Sequence, residues 1–310
     1  MSNSKNILYL LSLVLLMLTG CEAETPTALL PTTGEGPVEV RFHAINVGAG
    51  VTVSRANYSD VATSLQEDKI GIWNEFYDNI SLTYTENTTP NLSTTNNEKI
   101  YYPYDTEELP IHAYAPYSDT ELNSETGTVN VKSEWVEETE YSQYITDPIW
   151  ACDTITKEAP TARLGFKHQM ARLKIDITPE TGVTYASYTI ELTLDRTQHG
   201  QMSLETGEIT PTERIAGKDN IYTETYHSED GEMTTSYDHT ILPGTKLKKI
   251  TIRFVANNET KNYEYTYTED KPFKEFVAGT CIQMYIDFGK INLLNIHTST
   301  SDTGYNREGI

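Results

Sequence analysis

The stretch VEVRFHAINVGAGVTVSRA, residues 38–56, sets the terms on which the rest of the chain is read. Val38, Val40, Phe42 and Ala44 alternate with Glu39, Arg41, His43 and Ile45. A period of two puts the first four on one side of an extended segment, so the stretch predicts a strand with one apolar face. The segment then runs through the flexible Gly48 and Gly50 to Arg55 and the polar ANYSD.

The same rhythm recurs downstream. In YASYTIELTLD, Ala186, Tyr188, Ile190, Leu192 and Leu194 share one face, and Ser187, Thr189, Glu191, Thr193 and Asp195 take the other, as a half-buried antiparallel strand requires. ARLKIDI (Leu173, Ile175, Ile177), KKITIRF (Ile250, Ile252, Phe254) and CIQMYIDF (Ile282, Met284, Ile286, Phe288) repeat the pattern. Turn residues separate them: PETG at 179–182, LETG at 204–207, LPGT at 242–245 and ANNET at 256–260. No long stretch sustains a 3.6-residue apolar period, and DVATSLQED at 60–68 offers one or two turns of helix at most. The fold class expected is all-β. The polar DTITKEAPTARL, with Pro160, places a boundary between a first domain over 38–160 and a second over 161–310.

Ahead of the first strand, Lys5 precedes the apolar run ILYLLSLVLLML, Ile7–Leu18. That run is shorter than the roughly 20 residues a bilayer span needs, and Thr19, Gly20 and Cys21 follow it directly, so residues 1–20 read as a signal peptide. The sequence LTGC resembles the lipobox of bacterial lipoproteins, which implies that Cys21 is acylated and becomes the mature N-terminus. One acyl chain holds only marginally, whereas the three usual on such proteins make attachment effectively permanent. Residues 21–37, rich in Glu, Pro, Thr and Gly, form a tether. Glu22 and Glu24 fit an export signal to the outer leaflet and a plain acidic linker equally well.

The charge balance, 23 basic against 45 acidic residues and a net −22, repels phosphate backbones and anionic headgroups, so no nucleic-acid partner is expected. Besides Cys21 there are only Cys152 and Cys281; two cysteines are no disulfide framework, and whether they pair is open. The seven histidines are isolated, without HExxH spacing, and neither a GxSxG elbow, a phosphate loop nor a DxDxDG calcium loop is present. No catalytic residue, metal or cofactor is expected. His112 and His168 fall inside strand-like segments, where a hydrogen-bonded structural role is the expectation. YEYTY puts Tyr263, Tyr265 and Tyr267 on one face, a pattern suited to packing on a sheet and, alternatively, to stacking on sugar rings.

A family resemblance rests on a series of segments. KIYYPYDTEELPIHAYAPYS (99–118) resembles a segment of the fimbrillins, subunits of type V pili in Gram-negative anaerobes. DKIGIW (68–73), DPIWA (147–151), LGFKHQMARLKIDI (164–177), LETGEI (204–209), TILPG (240–244) and FVAGTCIQMYIDF (276–288) follow in the family's order. The resemblance implies two tandem transthyretin-like antiparallel β-sandwich domains in a pilus subunit that is no enzyme. It implies export as a lipoprotein, surface-exposed on the outer membrane through acyl chains on Cys21, and incorporation into a fimbrium. An arginine-specific protease would cut beyond the first strand, and the vacated groove would accept a terminal strand from another pilus subunit.

Carried onto this chain, the removable strand holds Val38, Val40, Phe42 and Ala44. The cut falls at Arg55, after the glycines, with Arg41 as second choice because its backbone lies mid-strand. The candidate donor is the tail KINLLNIHTSTSDTGYNREGI with Leu293, Leu294 and Ile296. Those three do not share one face, so the tail closing its own C-terminal sheet stays open beside donation, as do stalk, anchor and tip roles. The alternative function is a surface lipoprotein that binds glycans through its tyrosine faces.

Overall fold

Alternating apolar residues give strands and nothing else among the residues that the computed structural model describes, which are 36–45, 69–133, 144–212, 221–227, 235–266, 273, 275–289 and, as backbone, 297–301. Apart from the first two they belong to one compact unit, Val38–Ile310. The strands are β1 (Arg41–Ala44), β2 (Ile70–Trp73), β3 (Ile80–Tyr84), β4 (Leu92–Thr94), β5 (Leu109–Ala115), β6 (Leu122–Asn123), β7 (Thr128–Lys132), β8 (Ile149–Ile155), β9 (Thr161–Leu164) and β10 (Lys167–His168). They continue as β11 (Ala171–Thr178), β12 (Tyr185–Leu194), β13 (His199–Ser203), β14 (Ile209–Pro211), β15 (Ile221–His227), β16 (Ser236–Ile241), β17 (Leu247–Ala256), β18 (Glu259–Thr266), β19 (Cys281–Asp287) and β20 (His297–Ser301).

The first sheet has eight strands in the order β10-β8-β5-β2-β3-β4-β1-β9. One face buries a core that includes Phe42, Ile70, Ile72, Leu82, Ile111 and Leu164. The other face is covered by a small sheet, β14-β13-β7-β6, whose core joins Tyr114 to Val129, Val131, Ile145, Met202 and Leu204. Gly71 on β2 is where this second layer needs glycine: a Cβ there would meet the Tyr114 ring at 2.2 Å. Trp150 ties the layers by donating its indole N–H to the Leu204 carbonyl at 2.7 Å.

The second sandwich packs the sheet β16-β11-β19-β20 against β15-β12-β17-β18. Its core includes Leu173, Ile175, Ile190, Ile252, Phe276 and Met284, the inward positions that the alternation selects. Tyr188 stacks on Tyr226 with ring centroids 5.3 Å apart, and Phe254 on Phe288 at 5.0 Å.

The fold is all-β, with sandwich layers in both halves, as the period-two patterns predict. Two pairings are parallel rather than antiparallel, β1 with β9 and β11 with β19. On β12 the alternation slips at one end: Ala186 is exposed and Tyr185 buried, because a register shift between Tyr185 and Ser187 inserts an extra residue and turns the next side chain over. β9 and β10 lie beyond residue 160 in sequence and hydrogen-bond into the first sheet. The small sheet is built from both halves, β7 pairing with β13. Beside it the Ser133 N–H donates to the Gln198 carbonyl at 3.0 Å. The Gln198 amide accepts from the Leu242 N–H at 2.9 Å and donates to the Thr245 hydroxyl at 3.1 Å. Gln198 and Thr245 are fully buried, so these bonds satisfy groups that would otherwise be costly. The possible helix at 60–68 lies outside the described residues.

Candidate functional site

The first strand occupies a slot. β1 stands next to last in its sheet, antiparallel to β4 on one side, with Phe42 opposite Leu92, and parallel to β9 on the other, with Arg41 to Ala44 opposite Thr161 to Leu164. Val40, Phe42 and Ala44 are 4%, 3% and 3% exposed, while Arg41 faces solvent and Val38 is half-buried at the mouth. The inward face is thus the one the alternation predicts.

Backbone bonds hold the strand from both sides. On the β4 side, Val40 N–H donates to the Ile100 carbonyl and Tyr102 N–H to the Val38 carbonyl, each at 2.8 Å. On the β9 side, Arg41 N–H donates to Pro160 O and Ile45 N–H to Leu164 O, each at 2.9 Å. β9 is the last strand of the sheet, and its Arg163 N–H turns away from β1 to the Asp153 carboxylate at 2.7 Å. A side chain thereby takes up a donor on an edge that would otherwise invite another strand.

The wall next to the mouth is aromatic. Tyr77 donates to the Tyr101 carbonyl at 3.0 Å. Tyr102 donates to the carbonyls of Glu107 at 3.0 Å and Ile155 at 3.2 Å. Burial pushes the Tyr77 phenol up to about 12, with Tyr102 adding to the shift. Burial also raises Tyr102, together with the charges of Glu158 and Glu108. Both phenols therefore stay neutral donors at any physiological pH. Outside, Lys99 pairs with Glu39 at 3.0 Å in solvent.

Of the sequence-predicted residues, the structure places Arg41, Phe42 and Ala44 on β1 and Val38 and Val40 in the extended segment that leads into it. Arg41 presents its side chain to solvent while its backbone is bonded within the ladder. Cys21, Arg55, Leu293, Leu294 and Ile296 lie outside the described residues. β20, just after the last three, pairs antiparallel with β19 at the edge of the second sandwich. Asn91, whose side chain bonds Ala44 within the slot, was missed; the signal for it was the proline that precedes it.

Elsewhere the candidates resolve into structural roles. Tyr263 stacks on Phe254 at 5.8 Å, and Tyr265 is half-buried, so this part of the tyrosine ladder packs on its own sheet; Tyr267 is not among the described residues. His168 meets Asp147 at 3.0 Å. His112 departs from the expectation of a bonded histidine: its Nδ1 is buried without a hydrogen-bond partner, and burial pushes its pKa down, against an opposing pull from Glu205. Cys152 is exposed on β8 and Cys281 buried on β19, in different sheets and not bonded to each other. Among the described residues, no group of three or more His, Cys, Asp or Glu side chains is placed to hold a metal.

The described residues thus form layered sheets in which the first strand lies in a slot between β4 and β9. Residues 49–302 match the family described as fimbrillin-like, and the chain belongs to that family. It is a non-enzymatic protein of the cell surface, a pilus or adhesion subunit. Solved structures that share the fold include two with TM-scores above 0.5. A candidate cell adhesion protein of Bacteroides uniformis is 16% identical, with a TM-score of 0.57 over 86% of this chain and 98% of that one. A second, from Bacteroides ovatus, is 16% identical, with a TM-score of 0.54 over 86% and 96%. No curated protein matches the sequence.

Proposed function

We propose that the protein is a pilus subunit assembled by strand exchange: export as a lipoprotein anchored through Cys21 to the outer membrane, cleavage after Arg55 by an arginine-specific protease, departure of β1, and filling of its slot by a terminal strand of another pilus subunit. The observation that carries this reading is the position of β1, a four-residue strand with partners on both sides. Its loss would leave two backbone edges facing one vacancy, which is the arrangement that strand addition fills.

The magnitudes suit exchange. Burying large apolar side chains such as Val40 and Phe42 is worth roughly 1.5–3 kcal/mol each, against about 5–15 kcal/mol for a whole domain. A sheet stripped of them is marginal until another strand replaces them. A two-domain division with its boundary just after β10, a few residues beyond 160, the Arg55 cut and donation by the tail around Leu293, Leu294 and Ile296 belong to this proposal. The glycan-binding alternative draws no support from Tyr263, whose ring lies on Phe254.

The test is treatment of the full-length chain with an arginine-specific protease, followed by N-terminal sequencing and a denaturing gel without boiling. A new N-terminus at Ala56 with a ladder of SDS-resistant multimers is expected. A persistent monomer with the Arg55 bond intact overturns the proposal.

A further inference from the structure

Asn91 does inside the slot what backbone cannot. The register Phe42 opposite Leu92 carries the antiparallel ladder two residues on to Ala44 opposite Pro90. Proline has no N–H to give the Ala44 carbonyl. The Asn91 side chain fills the gap: its Oδ1 accepts the Ala44 N–H at 2.7 Å and its Nδ2 donates to the Ala44 carbonyl at 3.0 Å. Asn91 is itself only 8% exposed and Ala44 3%, and the Asn91 backbone carbonyl accepts the Thr85 N–H at 2.8 Å. The amide is thus fixed in place, and it presents one donor and one acceptor to whatever backbone occupies that position.

Resting on the strand-exchange reading, we infer that Asn91 is the specificity-determining residue of the slot and sets the chemistry of the incoming strand. The strand must place a residue with an unsubstituted backbone N–H against the amide, and that residue must be small, because the Ala44 methyl is enclosed in the core beside Phe42 and Leu164. Two and four positions earlier come large apolar side chains, as Phe42 and Val40 do ahead of Ala44. The partner is therefore an extended segment of another subunit reading large, any, large, any, small, with no proline at the small position. A strand slipped by one residue would bring an outward-facing side chain into the core. One slipped by two would set a bulky residue against Asn91, so the amide fixes register as well as identity.

The test uses the full chain carrying a specific protease site within residues 46–60, cut there and stripped of its first strand in mild urea. Labelled synthetic peptides of residues 37–46 are then bound to it and read by fluorescence anisotropy. Asn91→Ala in the protein and N-methylation of Ala44 in the peptide are each expected to weaken binding at least tenfold, about 1.4 kcal/mol. The two together should weaken it no more than Asn91→Ala alone, because that substitution already removes the N–H contact that the methyl group blocks. A peptide with Ala44→Leu should bind at least tenfold more weakly to the unmutated protein. Should Asn91→Ala fail to fold, Asn91→Asp serves: it keeps an acceptor for the N–H and loses the donor, so N-methylation must still weaken binding to it. Binding of the plain peptide that is equal in both proteins, or additive losses, overturns the inference alone. Absence of any binding of the plain peptide to the unmutated stripped protein overturns strand exchange itself, and this inference with it.

Discussion

β1 and β11 hold equivalent places and are held very differently. Each lies inside a sheet with an antiparallel neighbour on one side and a parallel one on the other. β11 is eight residues long and buries Ala171, Leu173, Ile175 and Ile177. It is laddered to β16 from Ala171 to Asp176 and to β19 from Arg172 to Thr178. β1 is four residues long, meets β9 along its length, and meets β4 at Phe42 alone. With a net backbone hydrogen bond worth about 0.5–1.5 kcal/mol, ladder length and not interior position sets how firmly each of the two strands is held.

The largest effects should come from truncating the core side chain at the middle of each. Phe42→Ala should cost about 3–5 kcal/mol and Ile175→Ala about 2–5 kcal/mol. The two losses should differ in kind. Ile175→Ala should lower the thermal midpoint of the second sandwich, whereas Phe42→Ala should show as local release of β1. Hydrogen exchange would then accelerate at Val40, Tyr102 and Ile45 while β11 amides keep their protection. A Phe42→Ala protein whose β11 amides lose protection in step with Val40 would erase the distinction.

Next in size is the alkaline response. An unfolded tyrosine titrates near 10.0, while the buried Tyr77 holds its proton up to about 12. Between those values the unfolded chain binds fewer protons, so stability conferred by Tyr77 is complete below about pH 10 and is lost as pH rises towards 12. The Tyr188 phenol, buried in the second sandwich and bonded to Tyr237, is raised as well, so both halves should weaken in alkali. Tyr77→Phe should reduce the pH dependence of β1 release, leaving the share that the raised Tyr102 contributes, and should not alter that of the second sandwich; equal slopes before and after the substitution would contradict this.

A smaller effect runs the other way in acid. His112 is pushed down from 6.5 by burial, so the unfolded chain takes up its proton first and the stability it confers, present above 6.5, falls as pH drops below that value. His112→Gln should flatten the acid limb of the first sheet's stability between about pH 7 and 5, measured by urea midpoints.

What the sequence revealed and what it concealed divide along the same lines. Alternation named the inward faces of β1, β11, β17 and β19 because each residue's side follows from its parity. Parity is local, so it could not anticipate that β7 crosses to pair with β13, nor that β9 and β10 return to the first sheet. Those are long-range pairings between segments whose own patterns fit several neighbours. Tyr185 took the place of Ala186 because a bulge adds one residue and inverts parity beyond it. The slot was legible only in its apolar half: Val40, Phe42 and Ala44 were evident, but Asn91 reads as a turn residue until the register sets Ala44 across from a proline.

The smallest effect is expected where a contact is easiest to see. Lys99 and Glu39 form a 3.0 Å ion pair at the mouth of the slot, with side chains 61% and 36% exposed, and the carboxylate raises the lysine's pKa. Water screens such a pair and ordering two long side chains offsets most of its attraction, and at 0.15 M salt the remainder is damped further. Asn91, by contrast, makes its two bonds where water is excluded, and an unmade bond there leaves a buried polar group unsatisfied. Lys99→Met should therefore change the rate of β1 release less than twofold at physiological salt, measured by hydrogen exchange at Val40. A tenfold acceleration that disappears in 1 M salt would show that the rim, rather than the buried face, holds the strand, and would move the difference between β1 and β11 from ladder length to surface charge.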